Sequence, residues 1–219
     1  AKGLQPGFLN GDILLNLDTE DDDELSIGCA GGIDTLVEMD YEEDVHPQGT
    51  KGIRITVNGL KGGHSGMDIH LGRGNANKIM NRLLFETHER FGMRISEVDG
   101  GGLRNAIPRE SFASVVVQDV DGFLKHIESL SQVIKSELRS TEPNLNIEAS
   151  KADITGKVMA VEVQEKVLNA LYAMVNGVYR MSADIPDLVE TSSNLARVVV
   201  KNGHFNMQSL QRSSVDSAK

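Results

Sequence analysis

A histidine lies in a run of small residues that could expose it for chemistry. In residues 60–68, two glycines precede His64, and a serine and a glycine follow it. Small neighbours leave the imidazole unshielded and let a backbone or a ligand come close, which a buried core histidine would not need. The pattern predicts a functional histidine, and a flexible glycine loop with an incidental histidine is the alternative.

Two further polar residues could hold a substrate. Asn105 lies between glycines and Pro108, where its amide could face a carbonyl or carboxylate, or could satisfy its own backbone instead. Arg212 follows an alternating strand pattern, and its planar fork suits a carboxylate, although an exposed arginine at a strand end would look the same. The residues alone leave both alternatives open.

A candidate metal ligand lies near the start of the chain. A short apolar run ends at Asp18, as in a buried strand that delivers a carboxylate at its edge, or as at the start of a solvated acidic stretch. Cys29 is the only cysteine, so any metal would be held by His, Asp or Glu. A calcium loop over residues 18–24 is disfavoured because it lacks the glycine and the final acid of an EF-hand loop.

Hydrophobic periodicity predicts the elements that would position these residues. Alternating apolar residues predict strands at residues 53–57 and 145–149, and two further strand-like runs lie at residues 94–99 and 113–118. Helical spacing predicts two helices, at residues 79–91 and 121–138, with Asp121 as the N-cap of the second. The order β-α-β-β-α-β is that of the ferredoxin-like split unit, so we predict an α+β fold. A third helix over 161–178 and a hairpin turning at Asn202-Gly203 are predicted to follow.

Charge and composition exclude several classes of partner. The formal charge is −10 and no run is rich in Lys or Arg, which disfavours nucleic acids and anionic membranes. No stretch reaches the roughly 20 apolar residues that span a bilayer, and the N-terminus has no signal pattern. We therefore expect a cytoplasmic protein.

Five segments together resemble the aminoacyl-histidine dipeptidases, the Xaa-His or carnosine-cleaving branch of the dinuclear zinc exopeptidases. The segments are residues 13–32, 60–66, 102–108, 189–195 and 211–217. In that family a catalytic domain binds two metal ions, and an inserted lid domain forms the dimer and helps to hold the substrate. The resemblance implies the same reaction here, the hydrolysis of Xaa-His and other short peptides with a free carboxylate.

The resemblance also implies a role for each candidate residue. Asp18 matches a metal ligand, and His64 matches the lid histidine that reaches the partner subunit's active site and stabilises the oxyanion. Asn105 matches a lid asparagine near the substrate, and Arg212 matches the arginine that pairs with the peptide carboxylate. The implied cofactor is two divalent metal ions, zinc with manganese or cobalt as alternatives, and the implied partners are a dipeptide and a second copy of the chain.

The sequence departs from the family pattern in a way that implies a fragment. The His-x-Asp block, the bridging Asp, the base-bearing Glu-Glu pair and the distal His of the family are missing, and Glu42-Glu43 follows Asp18 rather than preceding it. The chain also starts without Met. We expect residues 1–45 to be a strand and acidic connector from the catalytic domain, 46–155 the first ferredoxin-like lid unit, and 156–219 a truncated second unit.

Two functional expectations follow from these departures. The chain alone should bind no metal stably and hydrolyse no dipeptide, because the general base and most ligands are missing. The alternative from another class is a non-enzymatic protein-binding or dimerisation module.

Overall fold

The computed structural model describes residues 30–219, together with residues 5, 7, 10–13 and 15. The candidate ligand Asp18 lies outside these residues. Ile13 and Leu15, from the buried strand predicted before it, are 82% and 78% exposed and belong to no strand. That strand is not found at the described positions, since no neighbouring element covers these two side chains.

The described residues form twelve strands and three α-helices. The strands are β1 (Gly31–Asp40), β2 (Glu43–Asp44), β3 (Lys51–Asn58), β4 (Gly63–His64), β5 (Arg94–Gly101), β6 (Ala106–Ile107), β7 (Ser111–Val117), β8 (Asn146–Lys151), β9 (Val158–Met159), β10 (Gly177–Met181), β11 (Val189–Lys201) and β12 (His204–Ser213). The helices are α1 (Ala76–Phe91), α2 (Val120–Glu137) and α3 (Val161–Ala173). In this part of the chain no helix has the length and apolarity needed to cross a membrane.

The predicted ferredoxin-like unit is confirmed. Strands β5, β7, β3 and β8 lie side by side in that order, all antiparallel, and α1 and α2 are the two connecting helices. Helix α1 begins after Asn75, whose side chain accepts hydrogen bonds from two backbone N–H groups, and ends at Gly92 in the left-handed conformation. The predicted N-cap of α2 is wrong by two residues. Asp119, not Asp121, caps this helix by accepting from the N–H of Gly122.

The core lies between the helices and one face of the sheet. Ile53, Ile55 and Val57 of β3 are fully buried there, while the alternate residues Arg54 and Thr56 face the other side and are partly exposed. Fully burying an aliphatic side chain of this size contributes about 1.5–3 kcal/mol. The period-two pattern of the sequence thus sets which face of the sheet receives the helices.

The second half of the chain extends the same sheet. Strand β11 pairs with β5, β12 pairs with β11, and β1 pairs along the whole of β12. Asn202 and Gly203 in the turn both have positive φ, 52° and 73°, as a type I′ hairpin requires. The predicted hairpin is confirmed, since β11 and β12 pair on either side of this turn. The division into units at residues 45/46 and 155/156 stays a prediction, and strands from either side of these positions share one sheet.

Helix α3 ends earlier than the sequence pattern indicates. It stops at Ala173, Met174 has extended backbone, and β10 begins at Gly177 with φ +97°. Lys78 of α1 donates three hydrogen bonds, of 2.8 to 2.9 Å, to carbonyl oxygens at the end of α3. The prediction of a helix to residue 178 is wrong because this tertiary contact satisfies the last carbonyls and lets the chain turn into a strand.

Candidate functional site

His64 is held beside Asn105 by a short strand pair. In the pairing of β4 with β6, Gly63 lies opposite Ile107 and His64 opposite Ala106. The N–H of the next residue, Ser65, donates to the carbonyl oxygen of Asn105 at 2.9 Å. Two motifs that are far apart in the sequence therefore form one piece of structure.

The loop fixes the tautomer of His64. The backbone N–H groups of Gly66 and Met67 both donate to its Nδ1, at 3.2 and 3.1 Å. A nitrogen that accepts two hydrogen bonds carries no proton, so the neutral ring has its proton on Nε2. The loop presents His64 as a hydrogen-bond donor through Nε2.

An ion pair braces the same loop. Asp68 accepts a hydrogen bond from the backbone N–H of His64 at 2.8 Å, and it pairs with Arg73 at 3.2 Å. Arg73 in turn donates to the carbonyl oxygen of Gly62 at 2.6 Å. Neither charged residue was predicted from the sequence, although an acid four positions after the histidine is a signal that could have revealed Asp68.

His64 and Arg212 line one cavity of about 500 Å³. Gly66 lies between their side chains, because a Cβ built on it would be 3.2 Å from Arg212 Cδ, Arg212 Nε and His64 Cε1. The other lining residues are Ala30, Met67, His70, Asp187, Leu188, Val189, Glu190 and Ser192. The structure thus brings together two of the four predicted site residues.

The guanidinium of Arg212 is suited to an acidic ligand. Its Nε is buried and has no hydrogen-bond partner among the residues that the structure describes. Leaving a buried donor unsatisfied costs about 1–3 kcal/mol, and a carboxylate would remove that cost with charge-assisted hydrogen bonds. The cavity also holds a carboxylate of its own, since Glu190 is only 6% exposed and pairs with Arg180 at 3.0 Å. Both signs of charge therefore line it.

Asn105 is next to this site but does not line the cavity. Asn105 is exposed, and its backbone carbonyl rather than its side chain makes the contact with the His64 loop. The adjacent carbonyl of Ala106 accepts from the side chain of Asn194 at 2.8 Å. Asn194, which is 1% exposed and lies on β11, anchors β6 to the main sheet. Sequence reasoning missed it, since an asparagine inside a strand gives no local sign of its partner.

The described residues do not fit a metal centre. Within residues 30–219 and the few described before them, no group of three or more His, Cys, Asp or Glu side chains could hold an ion. The predicted ligand Asp18 lies outside those residues. The two-ion centre implied by the resemblance is therefore not located by this structure.

Comparisons with known proteins agree with this architecture. Residues 51–145 match the sequence model of the peptidase dimerisation domain. The whole chain aligns with the cytosol non-specific dipeptidase of Escherichia coli (strain K12) at 37% identity, covering 46% of that protein. The fold of this chain is similar to the crystal structure of the aminoacylhistidine dipeptidase from Vibrio alginolyticus, with a TM-score of 0.88. The two share 39% identity, and the match covers 99% of this chain and 44% of that one.

The chain spans a little under half the length of these two proteins. Residues 51–145 match the peptidase dimerisation domain, and the resemblance to the dipeptidases that the sequence indicated is confirmed.

Proposed function

We propose that the chain is the lid and dimerisation segment of a cytoplasmic, metal-dependent dipeptidase. The proposed substrates are Xaa-His and other short peptides with a free C-terminal carboxylate. The observation that carries the proposal is that a histidine with a fixed Nε2–H and an arginine with an unpaired buried Nε line one cavity. The names of the two dipeptidases that align with the chain support it.

Arg212 would select the substrate by its carboxylate. A guanidinium offers two parallel N–H groups that match the two carboxylate oxygens, so it positions as well as attracts the peptide terminus. A fixed anchor at that point limits the distance to the scissile carbonyl. The cavity would therefore accept dipeptides better than long chains.

His64 would act on the scissile carbonyl. Its Nε2–H can donate to the carbonyl oxygen, and this hydrogen bond strengthens as negative charge develops there during attack. Because two backbone N–H groups already hold the ring, little reorganisation is needed at that moment. Losing one such donor typically lowers kcat by about 100- to 1,000-fold.

The metal chemistry would depend on residues beyond the described part of the chain. Two divalent ions, zinc with manganese or cobalt as alternatives, would supply an activated water and a Lewis acid when bound. Asp18 is the one ligand that we propose from this chain. Because one carboxylate holds no dinuclear site, the isolated chain should show no hydrolysis of carnosine or other Xaa-His peptides with added zinc or manganese.

The sheet offers an edge for dimerisation. Strand β8 pairs with β3 on one side and has no strand on its other side among the described residues. An open edge can accept a second copy of the same strand about a two-fold axis. Sedimentation of the chain should therefore give twice its mass of 23.8 kDa. A strict monomer at high concentration would contradict this part of the proposal.

Kinetics of the full-length protein test the two assigned roles. We expect His64→Ala to lower kcat by at least about 100-fold with little change in KM, because the donor acts mainly on the transition state. Arg212→Met should raise KM for peptides with a free carboxylate and have less effect on C-terminally amidated ones. His204→Ala is the matched control, since His204 is partly exposed and pairs with Asp40 on strand β1. An unchanged kcat for His64→Ala would favour the alternative in which this segment only forms the dimer and takes no part in catalysis.

Mixed dimers test whether the lid serves its own or the partner's centre. If His64 acts on the partner, mixing His64→Ala with Asp18→Asn should restore activity, because one centre of the mixed dimer regains both residues. His64→Ala mixed with Arg212→Met should restore none, since both residues of one lid line the same cavity and would serve the same centre. Restored activity in the second mixture would show instead that His64 and Arg212 of one subunit serve different catalytic centres.

A further inference from the structure

A buried carboxylate joins the two ends of the loop that carries His64. Glu142 is 2% exposed and lies in the turn between α2 and β8. Its Oε2 accepts from the backbone N–H of Lys61 at 2.8 Å, and its Oε1 accepts from that of Gly74 at 2.9 Å. One residue precedes the His64 strand and the other comes just before the cap of α1, so a single side chain closes the loop at its base.

The turn that carries Glu142 is tightly packed. Gly59, with φ +77°, passes so close to the same turn that a Cβ on it would lie within 3.0 Å of the carbonyl oxygen of Asn144. The N–H of Glu142 donates to the carbonyl oxygen of Leu138 at the end of α2, at 2.7 Å. The side chain of Glu142 is therefore fixed with respect to both the sheet and α2.

A carboxylate is a costly choice for this place. Removing a charge from water carries a large penalty unless hydrogen bonds compensate it, and here the two acceptor oxygens meet two backbone donors at opposite ends of one loop. The loop between them contains the Asp68–Arg73 pair and the two N–H groups that hold the His64 ring. All of these groups lie between the two backbone N–H groups that Glu142 holds.

We propose that Glu142 is a positioning residue for His64. By fixing both ends of the loop, it holds the Gly66 and Met67 N–H groups against Nδ1 and so keeps Nε2–H directed at the cavity. This inference rests on the proposed role of His64 in hydrolysis. Glu142 itself touches no substrate in this scheme and acts only through the loop.

The test is Glu142→Gln, with Glu137→Gln as the matched control. The amide keeps the shape of the side chain but turns a donor towards one of the two backbone donors, which breaks that hydrogen bond. Glu137 is a partly exposed glutamate at the end of α2 that pairs with Arg82, so the control removes a carboxylate without touching the loop.

The first measurement is the rate of amide hydrogen exchange in this chain, which NMR detects residue by residue. In Glu142→Gln we expect the amides of Gly66 and Met67 to exchange at least about tenfold faster, while the core amide of Ile55 keeps its rate, because only the loop opens. The control should leave all three unchanged. Unchanged exchange at Gly66 and Met67 in Glu142→Gln would overturn the proposal. Should that variant fail to fold, Glu142→Asp keeps the charge but is one methylene too short to span both donors, and the same loop-specific change is expected.

The second measurement is kinetic, in the full-length protein. A misplaced catalytic group can cost up to about 100-fold, so Glu142→Gln should lower kcat by about 10- to 100-fold while KM changes less than about twofold. A normal kcat in Glu142→Gln, alongside a low kcat in His64→Ala, would overturn the positioning role. If His64→Ala itself keeps a normal kcat, the proposed function fails, and the exchange result still decides whether Glu142 holds the loop.

Discussion

Replacing Gly63 by alanine places a methyl group against the Asp68–Arg73 ion pair of the His64 loop. Gly63 has φ +140°, a conformation that residues with a side chain rarely adopt. A Cβ at this position would lie closer than 3.0 Å to both the Arg73 guanidinium and the Asp68 carboxylate, a spacing that real Cβ atoms essentially never show. The substitution must therefore either strain the backbone or separate the ion pair.

The expected cost is the sum of two effects. Backbone strain of this kind costs about 1–3 kcal/mol. Displacing Asp68 also weakens its hydrogen bond to the backbone N–H of His64, worth about 1 kcal/mol, while the partly exposed pair with Arg73 adds little. We expect Gly63→Ala to lower the free energy of unfolding by about 2–4 kcal/mol.

Urea denaturation followed by far-ultraviolet circular dichroism measures this change, since the chain has no Trp to report unfolding by fluorescence. With an m-value of about 2 kcal/mol/M, the midpoint should fall by about 1–2 M. Gly102→Ala is the control, because a Cβ there meets no atom within 4 Å and the backbone has no positive φ. If both variants unfold at the same urea concentration, the packing argument for the loop is refuted.

Three further predictions concern groups outside the cavity. Burial raises the pKa of Tyr41 to about 12 from its ordinary value of 10.0. The folded state therefore favours the neutral phenol, and this contribution to the free energy of unfolding is intact below pH 10 and is lost as the pH rises to about 12. When denaturation is measured at increasing alkaline pH, Tyr41→Phe should abolish this loss of stability. Asn194→Ala should lower the free energy of unfolding by about 1–3 kcal/mol by leaving the Ala106 carbonyl unsatisfied, whereas Asn206→Ala, at a partly exposed site, should change it by less than about 0.5 kcal/mol in the same urea assay. Lys78→Met should cost about 1–3 kcal/mol, since it removes the donor to the end of α3, and thermal unfolding should show the loss.

Local patterns in the sequence were enough for most of the elements. Period-two alternation marked β3 and β8, helical spacing marked α1 and α2, and Asn202-Gly203 marked the hairpin. These signals are reliable because each depends on residues that are neighbours along the chain. The glycines around His64 are of the same kind, since they permit the loop in which Gly66 and Met67 bind Nδ1.

Only the tertiary structure decided how these pieces meet. The sequence did not show that β11 continues the sheet beyond β5, that Lys78 ends α3 early, or that Arg212 shares a cavity with His64 while the side chain of Asn105 stays outside it. Each of these facts depends on groups that are distant in the chain and meet through packing, so no local period carries them. Glu142 shows the reason most directly: its two hydrogen bonds reach across a large part of the chain to a loop whose own residues give no sign of needing a carboxylate.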